Sequence, residues 1–119
     1  MKKDIANQWC AALRSGEYNQ GQSALNNVTN NTYCCLGVLC ELYIKGGGKL
    51  TTDLHHEDKQ FRTYGGRTGL PPIAVQKWAG MQTANGMYNT PDDNLVNHND
   101  DGLSFDKIAN IIEAQVDNL

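Results

Sequence analysis

The chain has 119 residues and a mass of 13.1 kDa, room for one domain with one core and too little for a Rossmann pair, a TIM barrel or a kinase fold. Apolar residues make up 39% and charged residues 19%, with 10 basic against 13 acidic side chains and a net charge of −3. That balance disfavours a binder of duplex nucleic acid, which must neutralise phosphates, and no apolar run approaches the ~18 residues of a membrane span.

Met1-Lys2-Lys3-Asp4 is a basic start with no apolar stretch behind it, so no secretion signal is expected and the protein reads as cytoplasmic. A first helix is expected from about Asp4 to Ser15. Asp4 is a plausible N-cap, Ile5, Trp9, Ala12 and Leu13 share one face, and Gly16 ends it. A polar loop rich in Asn, Gln and Gly follows, from Glu17 to Asn31.

A second helix is expected from Thr32 or Tyr33 to Lys45. Its segment Tyr33 to Ile44 is apolar almost all round, the pattern of a buried central element, and Gly46-Gly47-Gly48 stops it. Residues 50–68 read as a loop with short strands around Leu50–Leu54 and Gln60–Tyr64. A short third helix is expected from Pro71 to Ala79, with Val75, Trp78 and Ala79 facing inward and Gly80 closing it. Residues 81–101 read as a third polar loop, with a turn at Pro91-Asp92-Asp93-Asn94.

The last helix carries the clearest start signal. Ser104 is the N-cap, Asp106 lies in the first turn, and Leu103 and Ile108 have the spacing of a hydrophobic staple. Phe105, Ile108, Ala109, Ile112, Val116 and Leu119 keep helical spacing to the end. The expected fold is therefore a compact single domain over residues 1–119, mainly α or α+β, with long irregular loops and a few short strands around a buried central helix. Trp9, Leu13, Leu36, Leu39, Leu42, Trp78, Phe105, Ile108 and Ile112 are its expected core.

Cys10, Cys34, Cys35 and Cys40 lie in apolar surroundings and lack the paired spacing of a zinc site, so they read as buried free thiols. Asn97 to Gly102 imitates the start of a calcium loop. Aligning Gly102 on the loop glycine, however, puts Ile108 where the bidentate glutamate must stand. A polar turn leading to the Ser104 cap is the preferred reading. His55-His56-Glu57-Asp58 lacks the i, i+4 spacing of a zinc helix and reads as a solvated loop. No metal, no cofactor and no nucleophile elbow is expected, which favours a binding protein over an enzyme.

Two stretches carry ligand-binding chemistry. In Tyr64-Gly65-Gly66-Arg67-Thr68-Gly69 the glycines allow close backbone approach to an anion, and Arg67 can grip a phosphate or carboxylate with two hydrogen bonds. In Leu13 to Gly21, Arg14 ends a helix, then Tyr18 and Gln20 stand between glycines. An aromatic face, a cation and an amide are what a nucleobase-and-phosphate pocket needs. Arg14, Tyr18, Gln20, Tyr64 and Arg67 are therefore the candidate ligand contacts, in a pocket within one chain or between copies of it.

Trp9 with Leu13-Arg14-Ser15-Gly16, Tyr18 and Gln20-Gly21, then Tyr33-Cys-Cys-Leu-Gly-Val-Leu-Cys-Glu-Leu42, Leu70-Pro71-Pro72, Trp78-Ala79-Gly80 and Asn99-Asp100-Asp101-Gly102 with Ser104-Phe105, resemble a family of small proteins in tailed-phage genomes. The resemblance spans most of the chain, and the Tyr-Cys-Cys-Leu-Gly-Val-Leu-Cys string is its most specific part. It implies a phage accessory protein in the host cytoplasm that counters host defence. Such a protein acts by sequestering a nucleotide-derived immune signal, by inhibiting a defence enzyme through protein contact, or by hydrolysing the signal. It assigns no catalytic residues.

Overall fold

The computed structural model describes all 119 residues. Helix α1 runs from Lys3 to Arg14 and buries Ile5, Ala6, Trp9, Cys10 and Leu13 on one face. It starts a residue earlier than expected. Lys2, not Asp4, is the cap residue and offers no side-chain hydrogen bond, while Asp4 sits in the first turn, where its charge favours the helix dipole.

The central helix α2 spans Cys35–Lys45, and every residue from Cys35 to Cys40 is buried. It begins later than expected because Thr32–Tyr33 is a strand. Asn26–Asn27 (β1) and Thr32–Tyr33 (β2) pair antiparallel, with Asn26 opposite Tyr33. The Tyr33 N–H also donates to the Asn19 carbonyl at 2.8 Å, so strand pairing outcompetes one more helical turn. Gly37 fits because α2 passes directly against this loop. A Cβ there would overlap the Leu25 carbonyl oxygen.

Both expected strands in 50–68 form, shorter than anticipated. Thr52–Leu54 (β3) and Arg62–Tyr64 (β4) pair antiparallel, Thr52 with Tyr64 and Leu54 with Arg62. A bridge between Asn27 and Phe61, with Val28 N donating to Gln60 O at 2.8 Å, sets the two ribbons side by side. Helix α3 spans Ile73–Ala79, Pro72 being its cap residue, and Gly80 closes it.

Residues 95–100 differ from expectation. Leu95–Asp100 is a helix, α4, not a loop. The Asn94 side chain caps it by accepting from Asn97 N at 2.9 Å, and Leu95 and Asn99 face inward. Helix α5 spans Phe105–Gln115 with Ser104 as N-cap, its hydroxyl accepting from Lys107 N at 3.3 Å. The helix stops short of the C-terminus, yet Leu119 still buries its side chain.

One apolar cluster joins α1, α2, α3, α4 and α5. Trp9, Leu13, Leu36, Leu39, Phe105, Ile108 and Ile112 belong to it as expected, while Leu42 and Trp78 pack against its edge half-exposed. Trp9 Nε1 donates to the Cys35 carbonyl at 2.8 Å, satisfying the one polar atom this large side chain brings into the core. All four cysteines are free and buried. Burial pushes the Cys34 thiol up to about 11 and raises the Cys35 and Cys40 thiols as well. No helix is long and apolar enough to cross a membrane.

Candidate ligand-binding face

The five residues singled out in the sequence divide between three places. Arg14 lies on the seam between α1 and α5, where it pairs with Glu113 and donates to Asn110 Oδ1 at 2.7 Å. It ties two helices together. An open groove of about 310 Å³ lies on the same seam between Lys3, Ala6, Asn7, Glu113 and Val116. None of the five residues lines it.

Gln20 is committed to the fold. Its Oε1 accepts from Phe105 N at 3.0 Å, and its Nε2 donates to Leu103 O at 2.7 Å and to Asn99 Oδ1 at 3.0 Å. Asn99 Oδ1 also accepts from Cys35 N at 3.1 Å, and its Nδ2 donates to Gly21 O at 2.8 Å. Cys35 and Phe105 are the first residues of α2 and α5, whose leading N–H groups have no partner within the helix. The two amides thus close two helix N-termini at once. The expected base-reading role of Gln20 is displaced by this bonding, and the expected turn at 97–102 is replaced by a helix that aims Asn99 inward.

The glycine loop is a tight hairpin turn. Gly65 and Gly66 have φ of +57° and +82°, the left-handed pair that a two-residue turn between Tyr64 and Arg67 requires. Its N–H groups are largely taken: Gly65 N donates to Thr51 O at 2.8 Å and Arg67 N to Tyr64 O at 3.0 Å. The glycines therefore turn the chain instead of cradling an anion. The Arg67 side chain is exposed beyond them.

Tyr18 and Tyr64 do come into one neighbourhood, together with residues that local sequence did not single out. Tyr18 meets Tyr33 edge to face, ring centres 5.2 Å apart. Lys45 Nζ donates to the Tyr18 hydroxyl at 2.7 Å and stands 5.1 Å from its ring centre, which raises the Lys45 pKa. Beneath this pair, fully buried Tyr64 donates its hydroxyl to Glu41 Oε2 at 2.9 Å. Burial, then the Glu41 carboxylate, holds the Tyr64 hydroxyl protonated well above the ordinary tyrosine range. Tyr33 is raised by burial and then by Glu41, against the Asn26 amide and the Arg62 guanidinium beside it. Neither Arg62 nor Lys45 has a carboxylate within 4 Å.

The arrangement offers a half-buried aromatic pair, two cations without acidic partners and a buried amide. Strand pairing supplies Tyr33 and Asn26, the last turn of α2 supplies Lys45, and β4 supplies Arg62 and Tyr64. No spacing rule links these positions, so sequence periodicity had no means of grouping them.

A family described as a domain of unknown function (DUF8296) matches residues 1–116, nearly the whole chain. The chain belongs to this family. No curated protein and no solved structure matches it. As a DUF8296 domain it is one structural unit, since the matched span runs from the start of α1 through the end of α5.

Proposed function

We propose that this DUF8296 protein is a non-enzymatic phage accessory factor of the host cytoplasm that counters host defence by binding. Its ligand is a nucleotide-derived immune signal, an anionic molecule that carries a base. The observation that supports this reading is the Tyr18–Tyr33 pair with Lys45 against it and Arg62 close by. An aromatic face takes a base, and cations lacking acidic partners take phosphate. In a protein of net charge −3 an attraction for an anion must be local, and Lys45 and Arg62 are the side chains that would supply it. The resemblance to tailed-phage proteins supplies the biological setting.

A second reading rests on a different observation. Residues 81–106 hold Asp92, Asp93, Asp100, Asp101 and Asp106 and no lysine or arginine, and four of these aspartates are exposed. Such an exposed acidic stretch suits a basic protein surface, as an inhibitor of a defence enzyme would need.

One capture experiment separates the readings. The protein is incubated with a panel of cyclic nucleotides and cyclic ADP-ribose isomers, freed of unbound ligand, denatured, and the released material is identified. Release of an intact ligand supports sequestration. Release of an altered product points to a hydrolase, and failure to capture any member favours the protein-contact reading.

A further inference from the structure

Asn26 is 3% exposed, and its Oδ1 is the one buried side-chain nitrogen or oxygen of the chain with no hydrogen-bond partner. Buried carbonyl oxygens are paired as a rule, because an unpaired one has left water without replacement. This orphan lies at the aromatic face described above. Asn26 stands opposite Tyr33 in the β1–β2 register, its amide lies against the Tyr33 hydroxyl, and Tyr33 rests edge-on against Tyr18.

We infer that Asn26 is the base-reading residue of this face, its Oδ1 accepting a hydrogen bond from the exocyclic amino group of the ligand's base. The inference rests on the proposed binding of a base-containing anion and adds the chemical class of that base. A carbonyl oxygen is satisfied only by a donor. The exocyclic amino group of adenine supplies an N–H, whereas unsubstituted purine, with a C–H at that position and no ring N–H on that edge, leaves the acceptor unpaired. Tyr33, half-buried, stands opposite Asn26 in the strand register, so the proposed contact requires its ring to turn aside and admit the base. Arg62, near Tyr33, and Lys45, against Tyr18, are the cations that would meet the phosphate.

The test uses the intact wild-type protein and ligand pairs that differ only at the amino group, by calorimetry: AMP against purine riboside 5′-monophosphate, and cyclic di-AMP against its analogue with unsubstituted purine in place of both adenines. The amino-bearing member should bind about 10- to 100-fold more tightly, the range set by leaving one buried acceptor unpaired. Asn26→Leu should abolish the preference and keep binding of the amino-free ligand. Should that variant fail to fold, the wild-type comparison decides alone. If both members of a pair bind alike, Asn26 does not read the base, and the sequestration reading stands without it. If no member binds at about 100 micromolar, this inference is overturned, while sequestration itself stands or falls on the capture panel.

Discussion

Gln20 Nε2 stands 3.0 Å from Asn99 Oδ1, joining residues 79 positions apart. Through this contact the loop after α1 and the last turn of α4 hold the starts of α2 and α5. Asn99 carries the larger share, because it alone meets Cys35 N and Gly21 O. Asn99→Leu strands three polar groups in a fully buried site and should cost more than about 3 kcal/mol, at 1–3 kcal/mol for each unpaired group. Gln20→Leu should cost about 2–3 kcal/mol on the same basis. Urea titrations of both single variants and the double variant should show coupling of at least about 0.5 kcal/mol. Simple additivity would mean that the amides act separately.

Gly37→Ala tests the approach of α2 to the Leu25 carbonyl. In an ordinary exposed helix alanine stabilises relative to glycine by up to about 1 kcal/mol. Here the added methyl meets a backbone oxygen that cannot move without breaking the Leu25 N to Thr68 O bond of 2.7 Å. A loss of at least about 2 kcal/mol is expected in a thermal melt. A rise in melting temperature would disprove the contact.

Leu39 is completely buried at the middle of α2. Leu39→Ala should destabilise the protein by about 2–5 kcal/mol, the range for emptying a well-packed leucine site. A change under about 0.5 kcal/mol in denaturant titration would remove Leu39 from the core.

Alkaline pH should unfold the protein through its thiols. Burial raises the Cys34 pKa from 9.0 to about 11, so the unfolded chain releases this proton first. The contribution is complete below pH 9 and is lost as pH rises towards 11, amounting to about 3 kcal/mol by linkage. Cys35, Cys40 and Tyr64, also raised, act in the same direction. Stability measured from pH 7 to 11 should fall steadily above pH 9, and a thiol reagent at pH 8 should react only after denaturation. Rapid labelling of the native protein would contradict this burial.

Ligand capture and helix clamping should separate by mutation. Lys45→Ala removes one charge-assisted contact and should weaken nucleotide binding about 10- to 150-fold with little change in melting temperature. Arg14→Ala should leave binding unchanged and cost about 1 kcal/mol or less, since its pair with Glu113 is largely exposed. Calorimetry and melting curves on both variants check the two halves. Equal ligand affinity in Lys45→Ala and wild type would remove Lys45 from the site.

The sequence by itself determined the helices whose signals are local. α2 is readable from its nearly continuous apolar run, α5 from Ser104 and the spacing of Leu103 and Ile108, and α3 from Pro72 and Gly80. Burial of the cysteines followed from their apolar neighbours. Of the candidate face, Tyr18 and Tyr64 were legible as aromatics beside glycines, but their partners Tyr33, Lys45, Arg62 and Asn26 were not. Tertiary structure alone decided that Thr32–Tyr33 is a strand, that Leu95–Asp100 is a helix, and that Gln20 and Arg14 serve the fold. The physical reason is the reach of the bonds involved. Helical periodicity, caps and turns act over a few residues, whereas Cys35 N meets Asn99 Oδ1 across 64 residues and Phe105 N meets Gln20 Oε1 across 85. An asparagine in a polar stretch looks like surface until the fold brings two helix starts to it.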